Sequence, residues 1–443
     1  MSLTGRPARR GRPSRGRGRI ARAAGPPLAA VLALTGCMAA EDGTWSGGGA
    51  AAGHPGGPAR SPAFAPFGER RVDDRQAMYP RLVRLRDGRI ILGVATSTGD
   101  GVTDMARFYE STDGGRTFRT LSEILDPAAA GERGGCCGSL LELPRRLGAQ
   151  PAGTLLWAGT VGMKNHAPGR RPELRVWSSA DGGRHWNYLS SCATADEGTP
   201  WNRGLWEPEL AVDARGRLVC YYADETHHGH DQVIAEVVST DGGVTWGSRT
   251  VIVAPGGHDR PGMPVVRRLP DGTYFMAYEV CGPSASCKVH YRRSPDGWTW
   301  GDAAGRGTAA RTADGLSLYH APTVTWIPGG GPHGTILLIG GLVRDAEGGL
   351  SHEASGATIF ANTANGDGVW HTEPAPVHVP FPAHPEHSDV VCANYSSSLL
   401  PMDGGRGLLE VATKRGEDGT CRAYVGASFR AQAPAPAAPK TGA

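Results

Sequence analysis

Two glutamates carry the chemistry this sequence can offer. Glu207 lies in Gly204-Leu205-Trp206-Glu207-Pro208-Glu209-Leu210, and Glu279 ends the apolar run Tyr274-Phe275-Met276-Ala277-Tyr278-Glu279. Proline is best tolerated at the first residue of a strand, so Pro208 sets Glu207 at a rim. A carboxylate closing an apolar strand is costly unless it reaches a polar cavity. Two such carboxyls can flank a glycosidic bond. One, with a raised pKa, protonates the leaving oxygen; the other attacks the sugar or activates water. The plainer alternative for either glutamate is an ion pair with an arginine. Tyr395, in Asn394-Tyr395-Ser396-Ser397-Ser398-Leu399, adds a phenol as a third reactive group.

These groups need a scaffold that brings distant segments to one mouth, and the sequence repeats a unit able to do so. Runs of apolar alternation broken by Asp/Gly turns begin at Arg81, Leu140, Glu209, Pro264, Pro322 and Ser397, the pattern of paired strands. Further on in the units comes a turn of the form Ser-x-Asp-x-Gly-x-Thr-Trp, at 111–118, 179–186 and 239–246. A copy shortened by one residue lies at 294–300, and 363–370 keeps the spacing with Asn365 in place of Asp. Six units of four strands predict an all-β, six-bladed β-propeller of four-stranded antiparallel blades over residues 68–430. The aspartates of these turns sit between third and fourth strands, away from the mouth. They are expected to hold their own hairpins, while the closing aromatic packs between blades.

In such a blade the first strand starts at the mouth and the second returns to it. Those positions supply Tyr79, Arg81, Asn165, His166, Trp206, Glu225, Arg260, Met263, Tyr278, His320 and Asn394 as substrate-binding candidates. Aromatic faces mixed with carboxylates suit a polysaccharide or oligosaccharide. Segments 187–203 and 302–319 are candidates for a wall that would enforce attack from a chain end. The loop Glu225-Thr226-His227-His228-Gly229-His230-Asp231, and His384, Glu386 and His387, hold metal-ligand types but match no standard zinc spacing. No metal or other cofactor is expected.

The ends read as addresses. Residues 1–36 hold eight arginines and no acid, so of 46 basic residues 38 remain against 43 acidic ones, a charge of −5 for the rest. That mildly acidic body excludes nucleic acid as a main partner. A short apolar stretch, Pro27 to Leu34, is too brief to span a bilayer, and leads into Leu34-Thr35-Gly36-Cys37, which resembles a bacterial lipobox. The resemblance implies lipidation at Cys37; ordinary secretion is the alternative. The expected product is an exported monomer, secreted or held at the cell surface by that lipid, with a Gly/Ala/Pro tether over 37–67 and an Ala/Pro tail over 431–443. Eight further cysteines suit an oxidising compartment. Cys281–Cys287 is the expected pair, Cys392 and Cys421 bracket two strands that a bond could staple, and the vicinal Cys136 and Cys137 are left open.

The Ser-x-Asp turns resemble the Asp-box, or bacterial neuraminidase repeat. Trp206-Glu207-Pro208, Gly262-Met263-Pro264-Val265-Val266, Tyr278-Glu279, Tyr79-Pro80-Arg81-Leu82 and Asn394-Tyr395-Ser396 resemble the exo-arabinanases of glycoside hydrolase family 93. That resemblance implies retaining release of short arabinofuranosyl products from α-1,5-arabinan, with Glu207 as acid/base and Glu279 as nucleophile. The Cys136-Cys137 pair has no counterpart in that resemblance. A sialidase using Tyr395 and Glu207 is the alternative, but its arginine clamp is not matched: the opening reads Tyr79-Pro80-Arg81, and Ala223-Asp224-Glu225 stands where an arginine is wanted. A propeller that only binds glycan or protein is the third reading.

Overall fold

The computed structural model describes residues 65–96, 104–129, 134–163, 169–381 and 391–430. The expected export signal, most of the tether, the tail, and Cys37 lie outside the described residues, as do Asn165, His166, His384, Glu386 and His387.

Six antiparallel sheets follow one another along the chain. The first blade is β2 (Met78–Arg84), β3 (Ile90–Ala95), β4 (Asp104–Ser111) and β5 (Arg119–Leu125). The second is β6 (Gly135–Glu142), β7 (Leu155–Val161), β8 (Glu173–Ser179) and β9 (Asn187–Thr194). The third is β10 (Leu205–Val212), β11 (Leu218–Asp224), β12 (Val233–Ser239) and β13 (Thr250–Val253). The fourth is β14 (Arg260–Arg268), β15 (Tyr274–Cys281), β16 (Lys288–Ser294) and the short β17 (Thr308–Ala309). A strand pair, β18 (Ser317–Tyr319) with β21 (Leu342–Arg344), extends this sheet past β16. The fifth is β19 (Thr323–Ile327), β20 (Thr335–Ile339), β22 (Thr358–Asn362) and β23 (His371–Pro374). The sixth is β24 (Ser398–Met402), β25 (Gly407–Arg415) and β26 (Cys421–Phe429), completed by β1 (Phe67–Arg71) from the start of the propeller. That exchange closes the ring non-covalently, and it begins one residue before the expected boundary.

The second strand of each blade explains why the sequence alternates so weakly there. β3, β7, β11 and β20 are buried at every residue. Each lies between two neighbouring blades, so both faces must be apolar and the run becomes continuous. The core is accordingly a set of wedges between blades. One joins Leu156, Leu174 and Val176 of the second blade to Leu210, Leu218 and Tyr222 of the third. Another joins Phe275 and Tyr291 of the fourth to Ile336 and Phe360 of the fifth. The disulfide Cys192–Cys220 crosses the first of these wedges, from β9 to β11. Cys281–Cys287, Cys392–Cys421 and the vicinal Cys136–Cys137 are also bonded. Four disulfides are the pattern of a chain that folds outside a reducing cytoplasm.

The Ser-x-Asp turns hold their own hairpins. Asp241 Oδ1 accepts from the backbone of Val244 and Thr245 at 3.0 Å, and Ser239 Oγ accepts from Gly243 N at 2.8 Å. The closing aromatics reach back to the preceding blade. Trp186 stacks on Phe108 with centroids 4.4 Å apart, and Trp246 Nε1 donates to Ser190 Oγ at 2.9 Å. The fifth copy differs from its sequence alignment. Asn362, not Thr363, does the serine's work, accepting from Gly366 N at 2.8 Å, while Asn365 turns to Asp271. An amide oxygen can cap this turn as a hydroxyl does, and that substitution moves the motif by one residue. Of the expected wall segments, 187–194 is β9, an outer strand, and 302–319 contributes β17 and β18 to the fourth sheet.

Candidate active site

Each blade enters the mouth through a kink of the same kind. Tyr79, Cys137, Glu207, Met263, His320 and Asn394 all have φ between 50° and 60°, the left-handed region. In the first four blades the kink coincides with a register slip between first and second strands: 78/81, 136/138, 206/209 and 262/265. Left-handed backbone at a non-glycine residue costs about 1–2 kcal/mol. Such outliers gather at functional sites, where the surrounding structure holds them in place. In those four blades the kink inserts one extra residue and re-aims a side chain at the strand's start.

Three of the kinked residues, Tyr79, Cys137 and Met263, pack together. Tyr79, Met263 and Ala321 form one buried cluster, with Cys137 and Tyr395 against it. The rings of Tyr79 and Tyr395 lie 6.2 Å apart. Segments 79, 137, 263, 321 and 395 come from five blades, so the cluster lies on the axis of the propeller.

Glu207 and Glu279 border this cluster. Glu207 Oε2 accepts from Met263 N at 3.3 Å. Glu279 Oε2 accepts from Ala321 N at 2.8 Å and faces His320 Nδ1 at 3.5 Å. Among the described residues neither glutamate pairs with an arginine or lysine. Burial, seconded by the charge of Glu279, pushes the Glu207 carboxyl up to about 8; the Met263 N–H pulls the other way. A carboxyl so shifted favours its protonated form near neutral pH. The same two carboxylates, after burial, push the Tyr395 phenol well up. Gly262 must be small: a Cβ there would stand 2.5 Å from Gln232 Nε2 and 3.6 Å from Glu207 Oε2.

A second layer stands beside Glu207. Trp206 Nε1 donates to Glu225 Oε2 at 2.7 Å, and the other Glu225 oxygen pairs with Arg260. Arg260 also donates to Gln232 Oε1 at 2.9 Å, and Gln232 Nε2 to Pro261 O at 2.9 Å. Arg260 is thus engaged by Glu225, which leaves Glu207, among the described residues, without a cation within bonding reach.

Three expected ligand-binding residues are placed otherwise. Tyr278 is wholly buried between the third and fourth blades, donating to Arg306 O at 2.6 Å. It precedes Glu279 on β15, and successive strand residues face opposite sides. Arg81 is buried with its guanidinium 4.0 Å over the Tyr79 ring, and donates to Ser396 O and Oγ at 3.1 and 3.0 Å. It ties the first blade to the sixth and supports Tyr79 from beneath. Asn394 is buried, donating to Gly340 O at 2.8 Å and accepting from Ser397 Oγ at 2.5 Å.

Sequence reasoning missed the Ala321 N–H, Gln232 and the vicinal Cys136–Cys137 bond, and, although it expected the Cys281–Cys287 bond, it missed that bond's place at Glu279. A backbone donor and a glutamine leave no mark in a pattern of residue types. The cysteines did, at 136–137 and 281–287, but nothing in one sequence placed Cys281 beside Glu279 or Cys137 against the axial cluster. Among the described residues one grouping of metal-ligand types lies close together, Cys281, Cys287 and His320, and its two sulfurs are bonded to each other. Loop 225–231 gathers no such group; His230 Nδ1 lies 3.4 Å from Gly256 O. A cleft of about 520 Å³ opens between the fifth and sixth blades, by Pro328, Thr335, His371 and Arg430. It is away from the glutamates, and Arg430 there pairs with Glu373 at 2.5 Å.

No family model matches the chain, and no curated protein sequence matches it. Solved structures do. An α-L-arabinanase of Penicillium chrysogenum, solved with arabinobiose, is 26% identical with a TM-score of 0.67, over 82% of this chain and 98% of that one. A family 93 α-L-arabinofuranosidase of Fusarium graminearum, also solved with arabinobiose, is 24% identical with a TM-score of 0.64 over the same shares. A sialidase of Streptococcus pneumoniae shares the fold more distantly, at 10% identity and a TM-score of 0.53, over 79% of this chain and 68% of that one.

Proposed function

We propose that this chain is a retaining exo-acting glycoside hydrolase that releases short arabinofuranosyl products from α-1,5-arabinan or a related glycan. The observation that carries the reading is the pairing at the mouth. One carboxyl, Glu207, is pushed towards its protonated form by burial and by a second, Glu279, and among the described residues no arginine pairs with either. The likeness to the arabinobiose-bound Penicillium enzyme, over nearly all of that chain, supports the substrate class.

In this mechanism Glu207 donates its proton to the glycosidic oxygen as the bond breaks, and Glu279 attacks the anomeric carbon. Glu207, now a carboxylate, then takes a proton from the water that releases the sugar. The first half asks for a neutral acid, which burial favours at Glu207, and Glu279 is held in place by the Ala321 N–H at 2.8 Å. The axial cluster of Tyr79, Met263, Ala321 and Cys137 offers an apolar floor to a sugar face. Trp206 and the Glu225–Arg260 pair offer polar groups at its edge.

A sialidase needs free arginines for the substrate carboxylate and a phenol that ionises readily. Arg81 is engaged by Ser396 and Arg260 by Glu225, and the Tyr395 phenol is pushed away from ionisation. We propose further that the chain works outside the cytoplasm as a monomer, tethered through Cys37 where the lipobox is used. The stereochemistry tests the mechanism: time-resolved NMR of the first product on debranched arabinan should show the α-anomer first. Initial appearance of the β-anomer would make Glu279 a base for water and end the nucleophile assignment.

A further inference from the structure

The Cys281–Cys287 disulfide stands at the reactive carboxylate, in contact with it. Cys281 Sγ lies 3.3 Å from Glu279 Oε1. A bonded sulfur carries no hydrogen, so this contact is not a donated hydrogen bond. The two oxygens of Glu279 therefore differ. Oε2 accepts from Ala321 N at 2.8 Å and faces His320. Oε1 meets the sulfur and, among the described residues, accepts from no N–H or O–H.

The loop this disulfide closes also builds the other half of the site. Cys287 N donates to Val280 O at 2.9 Å, returning the loop onto β15 beside Glu279. The Cys287 carbonyl then accepts from His320 N at 2.9 Å. His320 and Ala321 both adopt left-handed backbone, at φ 60° and 45°, and that turn aims the Ala321 N–H at Glu279. One covalent bond thus fixes the strand end that carries Glu279 and the turn that supplies its donor. It does so on two separate blades.

We propose that the Cys281–Cys287 disulfide is a positioning element of this active site, which locks the His320–Ala321 turn onto Glu279 Oε2 and keeps Glu279 Oε1 free of any donor as the attacking oxygen. The proposal rests on the two-glutamate reading for the word attacking; the contact itself does not. A hydrogen bond donated to a charged acceptor is stronger than one between neutral groups, and an oxygen so engaged must shed it before it can attack. A thiol or hydroxyl at position 281 would supply such a donor. Neither a disulfide sulfur nor a methyl does.

Three variants separate the two effects, because all lack the staple and they differ in the donor alone. Cys281→Ala with Cys287→Ala has no donor at 281. Cys281→Ser with Cys287→Ala presents a hydroxyl. Cys287→Ala alone leaves a free thiol. Turnover on debranched arabinan should fall about tenfold in the first, through kcat more than KM, and on the order of tenfold further in the other two. Equal kcat in all three, in variants of equal Tm, would overturn the donor argument; kcat equal to wild type in the double-alanine variant would overturn the positioning. A readout independent of catalysis accompanies these. In Cys287→Ala, alkylation of Cys281 by iodoacetamide at pH 7 should rise on the order of tenfold when Glu279→Gln removes the neighbouring charge. No change would place Cys281 away from Glu279. Should the wild type release nothing from arabinan, the functional reading fails, while the alkylation ratio still decides the contact.

Discussion

Replacing Glu207 by Gln should inactivate the protein and, near neutral pH, stabilise it. Burial and the charge of Glu279 raise this carboxyl from 4.5 to about 8 in the folded state. Below about pH 4.5 folded and unfolded chains both hold the proton, and the site costs nothing. As the pH rises from there towards 8, the unfolded chain releases a proton that the folded one keeps. Folding then becomes less favourable by about 1.4 kcal/mol for each pH unit. At pH 7 that reaches at most about 3.4 kcal/mol. Glu207 retains contact with solvent in the mouth, and screening brings the expected figure to about 1–2 kcal/mol. Gln keeps the shape and an acceptor for Met263 N but cannot ionise, so the whole effect disappears. The assay is thermal unfolding of both proteins from pH 4 to pH 8. The Tm of Glu207→Gln should match the wild type near pH 4 and exceed it by about 1–3 °C at pH 7. A difference independent of pH, or a variant less stable at pH 7, would refute the claim that the site holds a proton on Glu207.

The pH profile of kcat/KM should fall above about pH 8, as Glu207 loses the proton it must donate, and a single titration near 4.5 on that limb would reassign the acid. Trp206→Phe removes the 2.7 Å bond to Glu225 and should raise KM about fivefold at unchanged Tm, roughly 1 kcal/mol; an unchanged KM would detach this pair from the substrate. Asp241→Ala opens a Ser-x-Asp turn on the far side of the fold. It should cost about 1–2 kcal/mol in unfolding experiments and leave kcat alone, whereas a loss of kcat at full stability would give these turns a part in catalysis.

The architecture was legible because it repeats. Six strand pairs and the Ser-x-Asp turns marked the blades, and the apolar second strands matched their place between neighbours. The two glutamates were legible because each breaks a local rule, one before a proline and one closing an apolar strand. Tyr278 was misplaced by reading a strand end as a patch, where alternation turns it away from Glu279 into the core. Arg81 sits on an inner strand and Asn394 in the turn before β24, yet both hold backbone of neighbouring segments, since a kinked strand entry leaves carbonyls that need donors. The contact between the Cys281–Cys287 bond and Glu279 was invisible from spacing. It depends on how a five-residue loop, 282–286, folds back on β15, and residue types do not encode that.

Product release from debranched α-1,5-arabinan, measured for wild type, Glu207→Gln and Glu279→Gln with a fluorogenic sialoside alongside, tests the central claim most directly. The account predicts arabinobiose from the wild type, none from either variant, and no sialic acid from any. Sialic acid release that is lost in Tyr395→Phe, or arabinobiose release that survives both glutamine substitutions, would contradict it.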